Sequence, residues 1–347
     1  MMLFGKKAKA ISAALMLGAS VFMAAGCGGG DGASGGAKED KIVARKEVKT
    51  PALKEVKYGK DKISAKIYKL EWAGEIPEFM SERSYVVGNS LFALGKGKTV
   101  YKIDFQDEKI TGLEAVLNNI SETVATADDN AVFYRVGRKI YSMDTNKKVN
   151  TYGEPKKYLN LMRVRGDKDL VYYTANGDRD NIYKGSIADG KITENKKFPI
   201  KDFIPAGNRG NYSDGTKLYI ATRTKVKDNN RDVDVAAVNV IDTKTDKGKI
   251  ISSYAEEAGT VKGRGAKTLQ NNPTLALTAN YIVFHDNGSC NRIRIMKRST
   301  GKYIDDIATA EFGIKKIRAI TAIPGTNDII ALCIDNNDKW GIYRIDI

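Results

Sequence analysis

The chain has 347 residues, of which 57 are Lys or Arg and 42 are Asp or Glu, giving a formal charge of +15 with one His and three Cys. That length buries a substantial core, which excludes a disordered chain or a small stapled scaffold. The lone histidine, His285, excludes any site built on two imidazoles of one chain, and three cysteines exclude a four-thiolate zinc site.

Residues 1–27 read as a secretory signal that ends in lipid attachment. Lys6, Lys7 and Lys9 form a positive n-region, Ala10 to Gly26 an uncharged h-region, and Ala24-Ala25-Gly26-Cys27 resembles a lipobox, where small residues precede the cysteine that is acylated. The h-region falls short of the about 20 apolar residues that span a bilayer, and the glycines after Cys27 suit a tether. The protein is therefore expected outside the cytoplasm, held to a membrane through Cys27. In a cell with two membranes that means the outer membrane facing the periplasm, and otherwise the cell surface. Loss of the three signal lysines leaves +12. Such a compartment permits a bridge between Cys290 and Cys333; one buried and one exposed thiol is the alternative. Residues 28–62 turn from Gly/Ser-rich to Lys/Glu-rich with few large apolar side chains, and read as a flexible tether reaching about 30 Å.

From residue 63 onward a repeat takes over. Val100-Tyr101-Lys102-Ile103-Asp104, Ile140-Tyr141-Ser142-Met143-Asp144 and Ile342-Tyr343-Arg344-Ile345-Asp346 share the form apolar-aromatic-x-apolar-Asp. Weaker copies start at Ile182, Val238 and Ile293, and the last positions fall 40 to 56 residues apart. Each is preceded by a partner strand such as Leu91-Phe92-Ala93 or Ile329-Ile330-Ala331, most of them introduced by turn residues. Short β-branched and aromatic strands at this period predict an all-β chain, a six-bladed β-propeller over 63–347. A seven-bladed ring and a β-sandwich array are the alternatives. No window of a dozen residues keeps helical periodicity. The sixth repeat supplies only three strands, and the alternating stretch 63–71 is predicted to zip onto it as the fourth and close the ring. On that plan the tether leaves from the face that carries the turns between first and second strands.

KIYSMDTNKK (139–148) and DGTKLYIATR (214–223) give 63–347 a resemblance to bacterial extracytoplasmic β-propeller lipoproteins, loosely TolB-like and YWTD-type. The chain departs from the subfamilies: it has no Tyr-Trp-Thr-Asp, no Gly-His…Trp-Asp pair and no sialidase-type Asp box. The resemblance implies a fold and a compartment, and no activity.

Catalytic motifs are sparse: there is no Gly-x-Ser-x-Gly elbow, P-loop or His-Glu-x-x-His. The Asp-rich stretches 228–232 and 335–338 lack the Gly and distal Glu of a calcium loop and read as solvated hairpins. No catalytic residue, metal site or cofactor is assigned. The innermost strands are poor in Asp and Glu, which favours binding over catalysis. With strands lettered A to D from the ring axis outward, D–A and B–C connections share one face, and A–B and C–D turns the other. The D–A face carries 24 Lys or Arg against 15 Asp or Glu in its loop windows, the A–B face 12 against 13. The leading expectation is a non-catalytic, monomeric scaffold whose basic face binds an acidic envelope protein or polymer, with nucleic acid excluded by compartment. Arg138, Arg163, Arg165, Arg209, Arg264 and Arg318 are its candidate anion contacts, because planar guanidiniums pair carboxylate and phosphate bidentately. The alternatives are a hydrolase or lyase acting on an acidic saccharide or peptide in the central funnel, and a small-ligand sensor.

Overall fold

The computed structural model describes residues 56–58, 63–120, 124–136, 139–152, 162–164, 167, 169–175, 178–188, 191–199, 204–205, 211–228, 231–253, 273–286 and 292–347. Those residues form a six-bladed β-propeller, all antiparallel, with one 3-10 turn at Thr309–Phe312. Two strands, β1 (Val56–Tyr58) and β2 (Ile63–Lys69), precede the first blade. Blade 1 is β3 (Phe79–Val87), β4 (Ser90–Gly95), β5 (Thr99–Gln106) and β6 (Lys109–Leu117). Blade 2 is β7 (Val124–Ala127), β8 (Ala131–Val136), β9 (Lys139–Asp144) and β10 (Val149–Tyr152). Blade 3 is β11 (Met162–Arg163), β12 (Leu170–Ala175), β13 (Asp178–Ala188) and β14 (Lys191–Pro199). In blade 4, β15 (Ile204–Pro205) and β16 (Asn211–Ser213) both pair with β17 (Lys217–Asp228), followed by β18 (Arg231–Asp242) and β19 (Gly248–Ser253). Blade 5 is β20 (Pro273–Leu277), β21 (Tyr281–Asp286), β22 (Arg292–Lys297) and β23 (Tyr303–Ala308). Blade 6 takes β24 (Ile314–Ala322), β25 (Ile329–Asp335) and β26 (Trp340–Asp346), then β2 and β1 on its outer edge.

Period-2 side chains build the ring. Along β8, Val132 and Tyr134 pack toward blade 1 with Phe92, Leu94 and Val100, whereas Phe133 between them packs toward blade 3 with Val171, Tyr173 and Tyr183. Both faces of each inner strand are therefore buried, and each fully buried Ile, Leu or Phe contributes roughly 1.5–3 kcal/mol. Aromatics sit opposite each other on the B and C strands, as the stacked pairs Tyr134–Tyr141 and Tyr173–Tyr183. Gly185 follows from the same crowding: a Cβ there would lie 2.3 Å from the Thr193 carbonyl oxygen.

Closure follows the alternation of 63–71. Ile67 of β2 pairs with Ile345 of β26, and Ala65 and Ile67 enter the core between blades 5 and 6. A fifth strand, β1, which lies in the stretch read as tether, then pairs antiparallel with β2. The chain at Val56 is thus travelling from the D–A face toward the A–B face. This reverses the direction expected for the tether, because β2 was taken as the outermost strand. The charged hairpin of blade 4 is one unbroken ladder from Lys217↔Asp242 to Asp228↔Arg231, which absorbs the extra length of that repeat.

Candidate functional site: loop faces and blade junctions

The aspartate that ends the repeat motif is structural. Asp144 Oδ1 accepts the Asn146 and Lys148 N–H groups, and Asp242 Oδ1 those of Lys244 and Thr245, so each caps its own C–D turn. Asp335, outside the motif at the end of the B strand β25, caps a B–C turn in the same way through the Asn337 and Lys339 N–H groups, while Lys69 donates to its other oxygen at 3.1 Å. The 335–338 stretch is therefore an Asx turn. Among the described residues, no group of three or more His, Cys, Asp or Glu could hold a metal ion.

The x position of the motif carries information that its variable identity concealed. It pairs with the middle residue of the B strand and faces the next blade. The register Phe92↔Lys102, Phe133↔Ser142, Tyr172↔Lys184, Tyr219↔Val240, Val283↔Ile295 and Ile330↔Arg344 identifies it in all six blades. Where it is a long cation, it fills the junction near the A–B face. Lys102 is buried on Asp104, 2.6 Å away, which also accepts the Ser90 hydroxyl. Lys184 crosses to blade 4, donating to the Thr243 carbonyl at 2.7 Å and to Asp246 at 2.8 Å. Asp246 also accepts Tyr172 and Lys196; burial alone would raise its carboxyl, but these donors hold it below the usual range. Arg344 grips Asp328 at 2.6 Å and reaches the Asp107 carbonyl of blade 1 at 3.4 Å. These staples consume much of the charge on the A–B face.

The candidate anion contacts distribute unevenly. Arg138, Arg165, Arg209 and Arg264 lie outside the described residues, as do Cys27 and Cys290. Arg163 is only 2% exposed. Its Nη2 donates to Asp128 at 3.1 Å and its Nη1 to the Leu170 carbonyl at 2.8 Å, with the guanidinium 4.9 Å from the Phe133 ring centroid. It joins blade 3 to the A–B turn of blade 2 instead of facing solvent. Arg318 sits half-buried at a bulge in β24, its guanidinium 5.8 Å over Trp340 and its Nε buried without a hydrogen-bond partner among the described residues. Cys333 is a buried thiol in the core between blades 5 and 6, and burial pushes its pKa up. His285 is fully buried at the end of β21, with neither ring nitrogen partnered among the described residues; burial drives its pKa down to about 3. A ring so enclosed serves as packing.

No protein-family description matches the sequence, and no curated protein does. Solved structures do resemble the fold. The WD40 repeats of RRP9 superpose with a TM-score of 0.51 at 11% identity, covering 84% of this chain and 99% of that one. Virginiamycin B lyase from Staphylococcus aureus gives 0.47 at 12% identity, covering 82% of this chain and 99% of that one. BamB from Moraxella catarrhalis gives 0.39 at 11%, covering 78% and 84%. What is shared is the β-propeller architecture.

Proposed function

We propose that this chain is an extracytoplasmic, lipid-anchored propeller that binds an acidic protein or envelope polymer through its D–A face and carries out no chemistry of its own. One observation carries the reading. The observed strand order puts the D–A and B–C connections together, and once Arg163 and Arg165, which belong to the A–B end of blade 3, are set aside, their windows hold 22 basic against 15 acidic residues. A surplus of that size on one face steers and retains polyanions. Exposed Lys98 and Lys139 on that face form no ion pair among the described residues, which supports the reading from the structural side. Arg138, between β8 and β9, and Arg264, between β19 and β20, remain its candidate contacts; Arg165 falls between β11 and β12, in the A–B connection of blade 3, and Arg209 between β15 and β16, so neither belongs to the D–A face. The anchor is Cys27, in the resemblance to envelope propeller lipoproteins.

The test is capture from envelope extract at low and moderate salt, beside a variant with Arg138 and Arg264 changed to Glu. A partner retained by the parent protein, weakened by salt and lost by a variant with the same melting curve supports the basic-face scaffold. Equal recovery by both proteins refutes it. Incorporation of labelled fatty acid that disappears in Cys27→Ala tests the anchor separately.

A further inference from the structure

The junction between blades 4 and 5 receives no cation from the x position. In blade 4 that position is Val240, a short side chain like Ser142 of blade 2 and Ile295 of blade 5, where blades 1, 3 and 6 carry Lys102, Lys184 and Arg344. At the A–B face this junction is open. A cavity of about 660 Å³ lies over Lys217, Tyr281, Lys297 and Arg298, and a second of about 320 Å³ adjoins it over Val240, Lys247 and Lys249. The two share Lys217, Tyr219, Arg298 and Ser299, and so form one continuous cleft.

Its floor is fixed. Arg298 donates to the Thr278 and Ala279 carbonyls at 3.1 and 3.0 Å and to Asp214 Oδ2 at 2.9 Å. The other Asp214 oxygen accepts Thr216 and Lys217 N–H groups at 3.0 and 2.8 Å. Asp214 is thus already paired, and Asp242 is occupied with its own turn. The rim is different: Lys247, Lys249 and Lys297 are exposed and form no ion pair among the described residues. Five cations therefore line the cleft against two carboxylates. Tyr281 offers a half-buried ring, and Ser299, Thr300 and Asn280 offer hydroxyl and amide groups.

We infer that this cleft binds an acidic saccharide, its carboxylates on the rim lysines, its ring against Tyr281 and its hydroxyls on the Ser299, Thr300 and Asn280 side chains. Cation, aromatic ring and neutral polar groups around one concavity are the chemistry such a ligand needs. The site is on the face opposite the proposed scaffold surface and does not depend on it.

Titration of the full chain in detergent with oligogalacturonate, a poly(glycerol phosphate) oligomer and neutral dextran, followed by calorimetry, tests the assignment. Saturable binding of oligogalacturonate is expected, weakened about tenfold in Lys247→Glu/Lys297→Glu and unchanged in Lys98→Glu/Lys139→Glu on the other face. Near-ultraviolet circular dichroism establishes that each variant is folded, and the exposed positions of these lysines leave the core intact. Equal weakening by both variants would reduce the effect to net charge and overturn the site. Absence of oligogalacturonate binding, binding of the phosphate polymer alone, or equal affinity for dextran would each overturn it too.

Discussion

His285 makes one side chain a reporter of folding. With both nitrogens enclosed, the folded ring stays neutral until its pKa of about 3, against 6.5 when solvated. Above pH 6.5 the ring is uncharged in both states and adds no pH dependence. Below it, the unfolded chain takes up a proton that the folded one refuses, so stability falls with acidification by about 1.4 kcal/mol per pH unit until the folded pKa is reached. Urea unfolding at pH 6.5 and 5 is expected to show this loss, and His285→Leu to flatten that part of the profile. An unchanged slope in the variant would assign the loss to other groups. Arg163 gives a second residue-scale expectation. Arg163→Ala leaves the Asp128 carboxylate half-buried and short of its charged partner, and is expected to cost about 3–5 kcal/mol, with part regained in Arg163→Ala/Asp128→Ala. Thermal melts of the single and double variants measure both.

At the scale of the element, β2 is the fastening of the ring. Ile67→Asp puts a charge into the core between blades 5 and 6 and detaches β2 from β26. The expected result is rapid proteolysis in blade 6 and a lower melting temperature, with a cost of about 4 kcal/mol or more. A chain beginning at residue 72 should behave likewise and recover when a peptide of residues 56–71 is added. Failure of that peptide to bind would show that β2 contributes little to closure. This strand was legible in the sequence because its apolar residues alternate and the last repeat is one strand short. The inner strands were legible too, since turn residues bracket them. The blade junctions were not. A position that holds Lys, Ser, Lys, Val, Ile and Arg in successive blades looks random along the chain, and only strand register places all six against the next blade. For the same reason Arg163 resembled a surface cation: nothing in its neighbours along the chain announces Asp128, 35 residues earlier. β1 escaped notice because three residues in a Lys-rich stretch carry no period.

For the whole molecule, charge is divided by role. On the A–B face it is stitched between blades, by Lys184 and Lys196 to Asp246 and by Arg298 to Asp214. On the D–A face it accumulates. Salt should therefore act in two directions. Raising ionic strength from 10 to 150 mM, across which the Debye length shrinks from about 30 to 8 Å, relieves repulsion among surplus cations more than it weakens part-buried pairs. The melting temperature is expected to rise modestly over that range; a fall would mean that the stitched pairs dominate.

The closing pair Ile67↔Ile345 joins the first long strand of the ring to its last. No earlier portion of the polypeptide can complete the circle, so a chain emerging from the ribosome presents an unsatisfied edge until β26 arrives. The time between emergence of Ile67 and of Ile345 is then a window of vulnerability to proteases and to neighbouring nascent chains. The speed of synthesis, more than equilibrium stability, would set how much of this protein survives.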